Sequence, residues 1–145
     1  MIALACDHGA FALKEQVKAH LEAAGHRVED FGTHSTESCD YTDFAVLAAQ
    51  AVADGRCERG IVLCTTGIGM SIAANKVRGV RCALCTDTLM AEMTRRHNDA
   101  NMLALGAGIT GMLLSLRIVD TWIGTDYEGG RHQRRVDKIT ALEQR

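Results

Sequence analysis

The chain has 145 residues, 47% apolar and 23% charged, with a formal net charge of −2. That size and balance fit one globular domain with a core of its own. They give no electrostatic basis for binding nucleic acid, and no stretch has the length of a membrane-spanning helix or the pattern of a signal peptide.

The chain alternates strand-like and helix-like segments. Residues 2–6 form a short apolar strand, and Asp7-His8-Gly9 follows as a turn. Residues 11–24 are helical, with Phe11, Val17 and Leu21 on one face and Gly25 as the stop. Residues 26–31 read as a more polar second strand, and 32–40 as a polar loop. A helix is expected over 42–53, a strand over 61–64 and a helix over 70–77. Residues 80–85 are a fourth strand, followed by a helix over 88–96. A fifth strand over 102–105 leads to a helix over 112–122. Glu128-Gly129-Gly130 breaks the chain before a last, highly charged helix over 131–143. This alternation implies an α/β domain with a five-stranded parallel sheet covered on both faces. In such sheets ligands sit at the carboxyl ends of the strands. Asp7, His8, the stretch from Cys64 to Gly69, Thr86 and Asp87 should therefore share one rim. His97 and Asn98 precede the fifth strand and fall at the opposite end. They reach that rim only if their loop folds back or a second subunit supplies them.

Six cysteines are present, and Cys6, Cys64, Cys82 and Cys85 lie in or beside apolar strand-like runs. Reduced, buried thiols behave this way, so a reducing cytoplasm is expected. Cys82 and Cys85 form a C-x-x-C without a second ligand pair, which argues against zinc.

The chain is organised around residues 59–79. Ile61-Val62-Leu63 suits a buried strand, Cys64 to Gly69 is small and Gly-rich, and a helix follows. A strand, a glycine turn and a helix N-terminus leave several amides unpartnered and pointing outward. Cys64 stands at their mouth, where the same geometry favours thiolate. One segment could thus supply a base or nucleophile and a hole for negative charge. The alternative is an inert cysteine in an ordinary turn. Gly67-Ile68-Gly69 is not the dinucleotide fingerprint, whose third glycine would fall at Ile72, and no Gly-Lys-Ser/Thr follows to make a Walker loop. Low-molecular-weight phosphatases close a cysteine loop with an arginine, and none occurs here between Cys64 and Arg78. Asp7 could simply cap a helix, and His97-Asn98-Asp99 could simply end one. Arg131, His132, Arg134 and Arg135 form either a solvated helix face or a phosphate clamp.

Taken together, these stretches resemble the type B ribose-5-phosphate isomerases, whose relatives act on galactose 6-phosphate and allose 6-phosphate. The matching residues are Cys6-Asp7-His8, Asp30 to Thr33, Asp40-Tyr41, Thr66 to Lys76, His97 to Asn101, and Glu128 to His132. The resemblance implies a Rossmann-like three-layer subunit whose C-terminal helix packs on a partner. It implies a homodimer or tetramer with shared sites, a sugar phosphate as substrate, and no metal or cofactor. The reaction it implies is aldose–ketose interconversion, ribose 5-phosphate to ribulose 5-phosphate. Alternatives are the same chemistry on a hexose 6-phosphate or another sugar, and a weakly catalytic sugar-phosphate-binding protein. By the same resemblance Cys64 is the base, His97 opens the sugar ring, and Thr66 belongs with them. Asp7, His8, Tyr41, Thr65, Gly67, Ile68, Gly69 and Asn98 line the substrate. His8, Arg131 and Arg135 hold the phosphate.

Two positions depart from the family's pattern. Thr65 stands where glycine is usual, which would be strained if the backbone there had positive φ. Gly108 stands where an arginine usually reaches the partner's phosphate, and Arg95 or Arg96 could replace it.

Overall fold

The computed structural model describes residues 1–144. Five strands form one parallel sheet: β1 (Ile2–Cys6), β2 (Val28–Asp30), β3 (Arg59–Cys64), β4 (Cys82–Leu84) and β5 (Met102–Gly106), in the order β2-β1-β3-β5-β4. Six α-helices connect or follow them: α1 (Phe11–Ala23), α2 (Tyr41–Ala53), α3 (Ile68–Ala74), α4 (Thr88–Asn98), α5 (Met112–Gly124) and α6 (Arg131–Ala141).

The central strands are buried on both sides, so they read as apolar runs rather than alternating ones. Successive side chains still point to opposite faces. Ile2, Leu4, Cys6, Ile61, Leu63, Leu103 and Leu105 meet Leu13, Val17 and Leu21 of α1, Ala91 of α4, and Ile118, Val119 and Trp122 of α5. On the other face Ala3, Ala5, Val62, Cys64, Met102 and Ala104 meet Ala45, Ala48 and Ala49 of α2 and Met70 and Ala74 of α3. Small side chains on both sides of this second layer bring α2 and α3 close to the sheet. Cys64 therefore points toward the layer that carries α3, at the last residue of its strand.

The expected elements are all present, with several ends shifted. β2 is shorter than 26–31 because the His26 amide donates to the carbonyl of Leu21 and belongs to the end of α1. The helix expected over 70–77 is displaced to Ile68–Ala74. Asn75 ends it, donating from its side chain to the Ser71 and Cys82 carbonyls and accepting from the Cys82 amide. That clasp also delays β4 to Cys82, later than the expected start at residue 80. The last helix stops at Ala141, and a single 3-10 turn, Leu142–Gln144, follows it.

The segment after β2 is tied to β1 from below. Lys14 is fully buried and donates to Asp30 Oδ1 at 2.9 Å and to the Thr33 carbonyl at 2.6 Å. Asp30 also accepts from the Gly32 amide, the Cys6 amide donates to the Gly32 carbonyl, and the Thr33 amide donates to the Cys6 carbonyl. Burial alone would raise the Asp30 carboxyl. The Lys14 and Gly32 hydrogen bonds and the charges of Lys14 and Lys18 more than offset this, holding it below the usual carboxylate range.

β1 and β3 are neighbours, yet the chain leaves them on opposite faces, through α1 after β1 and through α3 after β3. Their carboxyl ends thus flank the crevice where the winding of the sheet reverses.

Candidate active site

The crevice between β1 and β3 gathers Asp7, His8, Thr65, Thr66 and Cys64. Asp7 is almost fully buried, and its Oδ1 accepts from the Gly9 amide at 2.9 Å. It therefore performs the capping role read from the sequence while standing at the rim. His8 is exposed, and its Nδ1 accepts from the Cys39 amide at 3.2 Å. In the neutral imidazole that contact places the proton on Nε2 and leaves it free to donate.

Cys64 is buried, and its Sγ accepts from the Gly67 amide at 3.1 Å. An amide aimed at sulfur stabilises negative charge there. The turn is shaped for this contact. Gly67 is the left-handed residue, with φ 78°, and a Cβ on it would lie 2.5 Å from Leu84 Cδ1 and 2.9 Å from the Leu105 carbonyl carbon. Thr66 Oγ1 accepts from the Ile68 amide at 3.2 Å, which leaves its hydroxyl proton free. The amides of Thr66, Gly69 and Met70 have no acceptor among the described residues. They are the unpartnered donors expected of a strand–turn–helix. Tyr41 lies against this turn, since a Cβ on Gly69 would sit 2.8 Å from its ring.

Burial pushes the thiols of Cys6, Cys82 and Cys85 up to about 12. They stay protonated and structural.

Thr65 is not strained. Asp99 is the sole non-glycine residue with positive φ among the described residues, so the expected backbone cost at Thr65 does not arise. Its side chain fills space instead. Thr65 Oγ1 lies over Gly9 within the volume a Cβ would need, and Thr65 Cγ2 is 3.1 Å from where a Gly108 Cβ would be. The two departures are thus neighbours, and the Gly108 amide donates to the Thr65 carbonyl at 2.8 Å.

A second cluster lies at the other end of the sheet. His97 and Asn98 finish α4, and Asp99 caps it with φ 47°. The His97 ring stacks on His132 of α6, with centroids 4.2 Å apart and planes at 15°. Glu128 Oε2 lies 3.5 Å from His132 Nε2 and 3.9 Å from His97 Nε2. Arg131 and Arg135, one turn apart on α6, form no ion pair among the described residues and are exposed. Arg95 is excluded as a phosphate ligand, because it is buried and donates to Asp99, Ala100 and Thr125. Arg96 pairs with Glu92 at 3.0 Å.

The structure does not bring the two clusters together within one chain. The Gly60 amide donates to the Asn101 carbonyl, which puts the His97–Asn101 stretch level with the start of β3. Cys64 is four residues further on, about 13 Å of strand rise. The loop before β5 does not fold back. In the sequence Glu128 reads as part of a chain break and of a family-like stretch, and His132 as part of a basic cluster; neither reading places it beside His97. Their i,i+4 spacing next to a glycine pair was the available signal.

The sequence pattern that defines the Ribose/Galactose Isomerase family matches residues 2–139. The chain belongs to the ribose/galactose isomerase family. It is 50% identical over 144 residues to ribose-5-phosphate isomerase B of Escherichia coli, covering 99% of this chain and 97% of that protein. It superposes on the ribose-5-phosphate isomerase B structure from Clostridium thermocellum with a TM-score of 0.98 at 52% identity, covering 99% and 97% of the two chains. It is also 41% identical over 143 residues to the D-erythrulose-4-phosphate isomerase of Pectobacterium atrosepticum, covering 98% and 94%. Relatives in this family thus carry names for sugar phosphates of different length.

Proposed function

We propose that this protein interconverts ribose 5-phosphate and ribulose 5-phosphate, with Cys64 as the base. The observation that carries the reading is Cys64 Sγ at the carboxyl end of β3, holding the Gly67 amide beside the unpartnered amides of Thr66, Gly69 and Met70. The thiolate removes the proton from carbon 2 of the open-chain aldose. Negative charge moves to the carbonyl oxygen, and the free amides stabilise this enediolate. Cys64 returns the proton to carbon 1, and a hydroxyl proton passes from the oxygen on carbon 2 to that on carbon 1. Asp7, His8, Tyr41, Thr65, Ile68 and Asn98 hold the sugar.

The site is completed by a second copy of the chain in this proposal. His97 and Asn98 arrive from the partner, with Arg131 and Arg135 to grip the phosphate. Two features support a dimer. The Cys64 and His97 clusters are complementary and separate in one chain. Apolar side chains are also exposed around the Cys64 crevice, with Ile68 and Ile72 on α3 more than half exposed, as are Ile109, Met112 and Leu113. Exposed apolar surface of this kind marks an interface. His97 protonates the ring oxygen of the closed sugar as its bond to carbon 1 breaks, while the carbon 1 hydroxyl releases its proton to water.

Turnover measured on a panel of tetrose, pentose and hexose phosphates tests the reading. The highest kcat/KM is expected for ribose 5-phosphate. Preference for a hexose 6-phosphate or D-erythrulose 4-phosphate would keep the chemistry and move the substrate. Binding without turnover of any member would overturn the catalytic reading.

A further inference from the structure

The cluster of His97, Glu128 and His132 contains more than ring opening at one imidazole requires. Its three ligand-type atoms lie within 4.8 Å of one another. The geometry is nevertheless not that of a metal cage. Rings stacked at 15° aim their in-plane lone pairs side by side, whereas a bound metal needs them to converge at about 2.0–2.1 Å.

The arrangement restrains a ring instead. His97 is partly exposed, and an exposed imidazole ordinarily samples several rotamers. Here the stack fixes the plane of the ring. Both Nε2 atoms face the same oxygen of Glu128, at 3.9 Å from His97 and 3.5 Å from His132, so the carboxylate's charge favours one rotation within that plane without a hydrogen bond to His97. The restraining groups are themselves held. The Glu128 amide donates to the Arg96 carbonyl at 3.1 Å, tying the segment to the end of α4. The His132 amide donates to the Gly129 carbonyl at 3.0 Å, and the residue is buried. The charged groups around the pair are Glu128, Arg96 from α4, and Arg131 and Arg135 from α6. Burial, with His97 and Arg131 adding to it, holds the His132 imidazole below the usual histidine range, against the pull of Glu128. A neutral His132 can stack beside a proton-carrying neighbour without repelling it.

We propose that His132 and Glu128 are positioning residues that hold the His97 imidazole in the orientation from which it delivers a proton to the ring oxygen of the closed sugar phosphate. This rests on the ring-opening role given to His97 above. Orientation carries large rate factors, and a displacement of about 1 Å can cost about 100-fold.

The test compares ribose 5-phosphate with 4-deoxyribose 5-phosphate, which lacks the hydroxyl needed to close the ring. His132→Ala is expected to lower kcat on ribose 5-phosphate about tenfold with KM nearly unchanged, and to leave turnover of the 4-deoxy compound within about twofold. His132→Phe keeps the stacked ring and should restore most of the loss. In proton NMR the upfield ring-current shift of the His97 ring protons should persist in the Phe variant and vanish in the Ala variant. Glu128→Gln serves as the second variant if His132→Ala does not fold, with a smaller loss of the same selectivity. Equal loss on both sugars, no loss, or failure of Phe to rescue would overturn the proposal. His97→Ala separates the two levels. If it slows only the closed sugar while His132→Ala is unselective, positioning fails and ring opening stands. If it slows both sugars alike, ring opening fails and the positioning role with it.

Discussion

Gly108→Arg shows how Thr65 and Gly108 depend on each other. The backbone at Gly108 lies outside the left-handed region, so an arginine can adopt it. Space is the obstacle, because a Cβ there would lie 3.1 Å from both Thr65 Cγ2 and the Thr65 carbonyl oxygen. Thr65 cannot turn away freely, since its Oγ1 already presses on Gly9. Overpacking of this kind costs about 1–3 kcal/mol. In a domain of this size that lowers the melting temperature by about 3–10 °C. Thr65→Gly alone should cost about 0.5–1 kcal/mol through backbone freedom. In the double variant the clash is absent, so the two changes should couple favourably by about 1–2 kcal/mol. The new guanidinium can then reach a phosphate, a contact worth about 1.5–3 kcal/mol, and lower KM for ribose 5-phosphate roughly tenfold or more with kcat little changed. Thermal unfolding and steady-state kinetics on the wild type, both single variants and the double variant complete the cycle. Additive melting temperatures, or a Gly108→Arg variant as stable as the wild type, would show that positions 65 and 108 do not compete for space.

Two further predictions concern the frame of the site. Asp30→Asn should destabilise the fold by about 1.5–3 kcal/mol, because the buried Lys14 ammonium loses its close carboxylate and keeps the Thr33 carbonyl, an amide oxygen and Glu15 at 3.5 Å; Lys14→Met should cost less, since Asp30 keeps the Gly32 amide and Lys18. The Asp30 carboxyl is depressed in the folded state, so its stabilisation is full above the unfolded carboxylate value and is lost as pH falls through the folded one. Chemical denaturation from pH 7 to pH 3 should therefore show a shallower acid loss in Asp30→Asn than in the wild type. Gly67→Ala should cost about 2–4 kcal/mol, from positive φ and contact with Leu84 and Leu105, and should lower kcat by displacing the amide that meets Cys64. A Gly67→Ala variant with wild-type melting temperature and kcat would contradict this account of the turn.

The sequence carried the sheet, the helices and the Cys64 turn clearly, because each rests on local signals. Apolar runs mark strands buried on both faces, and Gly25, Gly67 and the Gly129-Gly130 pair mark breaks. The rule that ligands sit at carboxyl strand ends sorted Asp7, His8 and Cys64 onto one rim, where the structure has them. The less local features were not legible. The Asn75 clasp that shortens α3 and β4 depends on a partner seven residues away. The buried pair of Lys14 and Asp30 depends on packing between α1 and β2, and charged residues give no such signal by type. Strain at Thr65 was expected only if the backbone there had the positive φ that the family's usual glycine would allow. The backbone there is ordinary, and the cost lies instead in the volume that Thr65 shares with Gly9 and Gly108. The stacking of His97 on His132 needs α6 to lie beside α4, which no periodicity in either helix announces.

In the proposed assembly each site joins Cys64 of one chain to His97 of another. Mixing Cys64→Ala and His97→Ala subunits, after dissociation and reassociation, tests it most directly. A mixed dimer places both substitutions in one site and leaves the other site intact. Equal mixing makes about half of the dimers mixed, so ribose 5-phosphate isomerisation should recover to about a quarter of the wild-type rate. Activity that stays at the level of the two parent variants, in samples shown to exchange subunits, would contradict the shared site.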